Sequence, residues 1–186
     1  VTRSLIHQID APFLQTFTGL KFHPFFPRPE EICIADIAHG LAATNRFAGM
    51  TIEPYSVAQH SIHVSRLVPP QDALWGLLHD ASEAYLLDMP RPIKEYLPEY
   101  REVEQRVMEV ICERFGLDPR EPASVKDADR RLLSTEHRDL MRPGLLWETD
   151  TVPPLEDHIK PWGHRDAERL FLSAFHCLTL TRDRAA

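Results

Sequence analysis

His60, the adjacent pair His79-Asp80, and Asp129 are side chains of metal-ligating type, and they fall on three separate segments of helical pattern. Imidazole plus carboxylate is a donor set for Zn, Mn, Fe or Co. Glu83 follows His79 by four residues and Asp80 by three, so on a helix it projects from the same face one turn on. A ligand pair with a carboxylate one turn away can hold a metal ion and also position or deprotonate its water. A charged pair within an apolar helical stripe is costly unless it is partnered, and a metal ion is one such partner. A hydrogen-bonded core pair is the alternative. Taken singly, His60 also reads as a core histidine and Asp129 as a helix-surface acid.

The remaining histidines and the cysteines do not join this group. His63, one turn beyond His60, reads as part of a polar helix face, with a second metal or a phosphate as the alternative. His39, His137, His158, His164 and His176 read as structural, while His7 and His23 fall in an irregular N-terminal segment. Cys33, Cys112 and Cys177 lie far apart with no C-x-x-C pair, which suits reduced packing thiols better than a disulfide framework.

The elements that must position these side chains are helices. Residues 1–30 lack a sustained period, and His23-Pro24-Phe25-Phe26-Pro27-Arg28-Pro29 reads as an extended aromatic strap. Ile34, Ile37, Ala38 and Leu41 predict a helix over 33–45, with Arg46-Phe47-Ala48-Gly49 as its exit. Ser56-Val57-Ala58-Gln59 has the capping-box pattern and opens a helix that stops before Pro69-Pro70. Behind the prolines, Leu74, Leu77, Leu78, Ala81 and Tyr85 form one apolar stripe that ends at Met89-Pro90-Arg91-Pro92. A charged helix over 98–115 buries Val103, Val107, Val110 and Ile111, with Gly116 at its left-handed cap. Further helices are predicted over 123–141 and 165–181, separated by a Pro- and Trp-bearing loop. No alternating strand pattern stands out, so the fold class is all-α.

Composition bounds the rest. The 186 residues are 43% hydrophobic and 26% charged, ordinary for one folded domain. Acidic residues outnumber basic ones, 28 to 21, giving a net charge of −7 that argues against a nucleic-acid-coating protein. Sixteen prolines against seven glycines imply sharply ended elements and stiff connections. No apolar run reaches the roughly 18 residues of a membrane span, and the N-terminus lacks a signal-peptide layout. A cytoplasmic protein without membrane contact is expected.

The motifs Ser56-Val57-Ala58-Gln59-His60-Ser61, Leu77-Leu78-His79-Asp80-Ala81-Ser82-Glu83 and Val125-Lys126-Asp127-Ala128-Asp129 resemble the H…HD…D signature of HD-domain phosphohydrolases. The likeness covers residues 45–141 and is nearest to bacterial 5'-deoxynucleotidases and phage-type deoxynucleoside triphosphohydrolases. It implies a single HD-type bundle of about six or seven helices over residues 1–186. It further implies a divalent ion (Zn, Mn, Co or Fe) on His60, His79, Asp80 and Asp129. Glu83 then acts with Asp80 as the catalytic pair, with Glu83 orienting or activating the attacking water. Arg46 would contact phosphate, Phe47 the nucleoside, Asp88 the sugar and Lys94 the phosphate. An arginine fork and a lysine offset phosphate charge, and a carboxylate on a sugar hydroxyl can discriminate ribose from deoxyribose.

The pattern departs from other HD branches. Glu83 is followed by Ala84, not by the acid of an H-D-x-x-E-D run, and no H-H or G-Y-P hallmark is present. The 19-residue gap from His60 to His79 is short, as if trimmed at Pro69-Pro70. The expected activity is hydrolysis of a nucleotide phosphoester, foremost a (deoxy)nucleoside 5'-monophosphate. A triphosphohydrolase that releases triphosphate, with Arg91, Lys94 and Lys126 as its clamp, is the alternative. A non-catalytic nucleotide-binding protein is a third reading. The partner is a small nucleotide rather than a nucleic-acid polymer, and relatives of this size pair, so a homo-oligomer (dimer or higher) is expected.

Overall fold

A computed structural model describes residues 11–185 of the chain, with side chains to residue 182. Residues 1–10 of the expected strap, His7 among them, lie outside the described residues. The rest is all-α apart from one minimal hairpin, β1 (Leu14–Gln15) and β2 (Lys21–Phe22). Two residues per strand are too few for a period to register in the sequence. The hairpin is held from outside: the backbone N–H and hydroxyl of Thr18 donate to Asp36 at 2.7 and 2.8 Å, and Phe22 is fully buried against Tyr85.

The helices are α1 (Ile34–Ala43), α2 (Val57–Leu67), α3 (Ala73–Leu78), α4 (Glu83–Leu86), α5 (Arg91–Lys94), α6 (Pro98–Phe115), α7 (Ala123–Leu140) and α8 (His164–Ala185). Ser56 starts α2 by accepting the N–H of Gln59 at 3.2 Å. The reciprocal half of the expected box is missing. The Gln59 amide instead donates to the Lys160 carbonyl at 2.9 Å and accepts the Trp162 N–H at 2.7 Å, so it ties the 142–162 loop to α2. Gly116, at φ +64, caps α6 as its sequence position predicts.

The predicted single helix over the 74–85 stripe is two helices with a break between them. His79 Nδ1 donates to the Gly76 carbonyl at 2.8 Å, occupying the acceptor that the Asp80 N–H would need in a continuous helix. The chain tightens in response, with i to i+3 bonds from Ala81 to Leu78 and from Glu83 to Asp80. The stripe stays buried throughout, from Leu74 to Tyr85. The stripe is over before Met89-Pro90, as expected, but α4 already stops at Leu86, where Leu87 turns to φ 73, and Arg91–Lys94 recoils into the single turn α5.

The main core lies among α1, α2, α3, α4 and α8, around Ile37, Leu41, Ile62, Leu77, Leu78 and Phe171. Two glycines permit its closest approaches. A Cβ on Gly40 would stand 2.8 Å from the Ala84 carbonyl oxygen, and one on Gly76 would stand 3.1 Å from Ser65 Cα. Cys112 is buried and Cys33 half-buried, but Cys177 is exposed, because α8 turns Ala167, Phe171 and Phe175 inward; Cys177 is not a packing residue. No helix among the described residues is long and apolar enough to cross a membrane.

Candidate metal centre

Three segments of the helical scaffold bring the expected ligands together. His60 sits mid-way along α2 and is fully buried; His79 and Asp80 follow the end of α3; Asp129 lies on the second turn of α7. His60 Nε2 is 3.2 Å from His79 Nε2, 3.2 Å from Asp129 Oδ1 and 3.6 Å from Asp80 Oδ2. His79 Nε2 is 3.2 Å from the same Asp80 oxygen.

The tautomers follow from the outer bonds. His60 Nδ1 donates to Glu136 Oε1 at 2.6 Å, and His79 Nδ1 donates to the Gly76 carbonyl at 2.8 Å. Each Nδ1 proton therefore points outward, and Nε2 is the nitrogen that faces the cluster. Two ring nitrogens and two carboxylate oxygens then converge, a donor set for a metal ion once both Nε2 atoms are deprotonated. With both rings neutral, Asp80, Asp129 and Glu136 carry three negative charges against the one positive charge of Arg46, so a divalent cation in place of the ring protons suits both the donor chemistry and the charge. His60, His79 and Asp129 could hold a metal ion, and Asp80 places a second carboxylate oxygen beside them.

The titrations reflect the same crowding. Burial pushes Asp129 up, but His60, through its hydrogen bond and charge, and then His79 hold it down at about 2. Burial and Arg46 oppose a charge on His60, while Glu136 and Asp129 outweigh them and raise its pKa to about 9. Asp80 is held far below the carboxylate range, against burial, by His79, His60 and Arg46. Glu83 goes the other way: burial, then Asp80 and Asp88, push it well above its usual value.

Glu136 is absent from the sequence reading. It is fully buried, bonded to His60 and 3.2 Å from Arg46 Nε. Its one signal is position, seven residues after Asp129 and so two turns along the same face of α7 as Val125 and Leu132.

His79, Asp80, Glu83, Asp129 and Lys94 line one open cleft of about 740 Å³. Lys94 Nζ bonds Glu104 at 2.6 Å and lies 3.9 Å from Glu83 Oε1. Arg46, Phe47 and Asp88 do not line this cleft. Arg46 is buried between Asp80 (3.3 Å) and Glu136, fixed by the pairing of its N–H with the Tyr55 carbonyl. Phe47, in a left-handed backbone conformation at φ 56, packs on Arg46 and 5.5 Å from Trp147. Asp88 is half-buried in the turn that Tyr100 clasps by donating to the Leu86 and Leu87 carbonyls, and burial, opposed by Arg46 and reinforced by Asp80, raises its pKa. His63 is not on a polar face: it packs on Trp162 at 5.4 Å and accepts from the Gln59 amide. His137 and His158 are structural as expected, on Asp150 and Asp139.

Over 173 residues the chain is 39% identical to the uncharacterized protein YfdR of Escherichia coli (strain K12), covering 91% of this chain and 97% of that protein. This chain belongs to the YfdR family. A further similar protein is an uncharacterized protein of Rhodobacter capsulatus, 41% identical over 121 residues, with 60% of this chain and 62% of that protein covered. No protein-family model matches the chain. With 91% of its residues inside the YfdR alignment, this YfdR-family chain shares nearly the whole of its length with that relative.

Proposed function

We propose that this protein is an HD-type metal-dependent phosphohydrolase that removes phosphate from a nucleoside 5'-monophosphate, with the deoxy sugar preferred. The carrying observation is the inward convergence of His60 Nε2, His79 Nε2, Asp80 and Asp129 at a cleft that also holds Glu83. A divalent ion on these four residues supplies Lewis acidity and an activated water. Glu83 Oε2 is buried with no hydrogen-bond partner among the described residues, and its raised pKa suits a group that takes a proton from water and returns it. Lys94 offsets phosphate charge from the cleft wall. Arg46, anchored by two carboxylates, fixes Asp80 and adds positive potential behind the phosphate, while Asp88 and Phe47, which do not line the cleft, carry no substrate contact in this reading.

One observation favours the triphosphohydrolase reading as a second choice. Lys94 and Lys126 pair with Glu104 and Glu121. Arg91, Arg101 and Arg130, however, line the same cleft with no ion pair among the described residues and can meet further phosphates beside its seven carboxylates. Product analysis separates the two. Chelator-stripped protein is resupplied in turn with Mn, Co, Zn and Mg and given matched deoxy- and ribonucleoside mono- and triphosphates. Inorganic phosphate from monophosphates is the expected result. Intact triphosphate from triphosphates would replace the first reading with the second, and no product with any metal would remove both in favour of another phosphoester substrate or of a nucleotide-binding protein without turnover.

Self-association is part of the same reading. Phe13, Phe17, Phe25 and Phe26 of the strap remain 50%, 62%, 49% and 37% exposed, an apolar surface suited to a second copy. Sedimentation of the full chain is expected to give a dimer or larger species, and a monomer at micromolar concentration would rule the contact out.

A further inference from the structure

Away from the central cluster, α1 and α8 bring a second donor set together. His39 lies on α1, while His164 and Glu168, four residues apart, share one face at the start of α8. His39 Nδ1 is 3.3 Å from Glu168 Oε2, and His164 Nε2 is 3.6 Å from the same oxygen. One donor atom from each of the three lies within 4.8 Å of the other two. Around a tetrahedral zinc, bonds of about 2.0–2.1 Å place donors roughly 3.3 Å apart. Small side-chain rotations therefore close this triangle on an ion.

The rings are arranged for it. Phe17 lies flat on His39, 3.8 Å away and 10° from parallel, and fixes the plane that aims Nδ1 at Glu168. The two imidazoles stand at 89° to each other with centroids 5.4 Å apart, so they converge edge to face on the carboxylate rather than stack. Neither ring has another hydrogen-bond partner among the described residues. A single carboxylate oxygen is thus shared by two imidazoles from different helices.

We propose that His39, His164 and Glu168 form a second divalent-metal site, selective for the zinc class, that clamps the first turns of α8 to α1. Two nitrogens and one carboxylate favour zinc, cobalt, nickel or copper over magnesium or calcium. Three protein ligands leave a position for water. The His39, His164 and Glu168 side chains keep 33%, 43% and 23% of their exposure, so the ion exchanges with solvent. Without bonds orienting their outer nitrogens, these histidines bind more weakly than His60 and His79, which both have such bonds. The central site fills first and this one second.

The test uses zinc alone with the chelator-stripped full chain, bound metal being counted by equilibrium dialysis at rising free zinc. Wild type is expected to take up one equivalent more than His164→Ala or Glu168→Gln, with the extra equivalent in the weaker phase. Far-UV circular dichroism of the metal-free variants checks that the loss is not unfolding. Asp129→Ala is expected to lose the tighter equivalent and keep the weaker one, so a failure of the central site is distinguished from a failure of this one. Equal zinc uptake by wild type, His164→Ala and Glu168→Gln overturns the proposal.

Discussion

Glu136 Oε1 stands 2.6 Å from His60 Nδ1, with both side chains fully buried. This contact assigns the ring proton to Nδ1 and leaves Nε2 facing His79, Asp80 and Asp129. Glu136 also pairs with Arg46, so one carboxylate orients the His60 ring and anchors the cation behind it.

Glu136→Gln keeps the shape and removes the charge. Metal affinity is expected to fall about 10- to 100-fold, the usual cost of losing a residue that orients a ligand. Titration with manganese measures this, and an unchanged affinity with intact helicity would exclude Glu136 from a positioning role.

Glu83 and Asp80 are separable. Glu83→Gln is expected to retain metal and lose about 10²- to 10⁴-fold in turnover. Its melting temperature is expected to be no lower than wild type, because a buried carboxylate with an unpartnered oxygen, crowded by Asp80 and Asp88, is relieved. Asp80→Ala is expected to lose metal and turnover together. Wild-type rates in Glu83→Gln would end its proton-handling assignment.

His63 makes acid stability a local property. Burial, with Arg66 and His60 adding to it, lowers its pKa from 6.5 to about 4. Above about pH 6.5 the ring is neutral in both folded and unfolded chains, and its contribution is complete. Between there and about pH 4 the unfolded chain takes up a proton that the folded one refuses, so stability falls as pH falls. His63→Gln is expected to lose less stability than wild type across that window, measured as urea midpoints at stepped pH. Parallel curves would show that His63 is not the group responsible.

Gly40→Ala drives a methyl group to 2.8 Å from the Ala84 carbonyl oxygen, on the short helix that begins with Glu83. Overpacking of this kind costs about 1–3 kcal/mol. Denaturant unfolding is expected to register it, along with a larger loss of turnover than of metal affinity, since α4 shifts while His60 and Asp129 stay. A variant as stable as wild type would mean that α1 and α4 can part without strain.

The helices were legible where local chemistry decides them. Ser56 marks the start of α2, and Pro98 and Gly116 bracket α6, because caps and breakers act within a few residues. The meeting of His60, His79, Asp80 and Asp129 was legible as a candidate set by residue type and helical context. What escaped depends on partners distant in sequence. Glu136 looks like any acid on a charged helix until His60 and Arg46 meet it. Gln59 matches a capping box, yet Lys160 and Trp162 capture its amide. The break after Leu78 escaped because apolar spacing persists through it, and only the side-chain bond of His79 interrupts the ladder.

That bond has a consequence for how the family can vary. His79 is aimed by a carbonyl three residues earlier in its own chain, so its direction is counted in residues rather than held by a neighbouring wall. Adding or removing one residue between Gly76 and His79 would turn the imidazole by about 100° around the helix axis and separate it from the carbonyl. Length changes can accumulate at Pro69-Pro70, upstream of α3, where the chain is already irregular. Between Gly76 and Asp80 the spacing works as a ruler, and sequences that keep the chemistry are expected to tolerate changes of residue there but not of count.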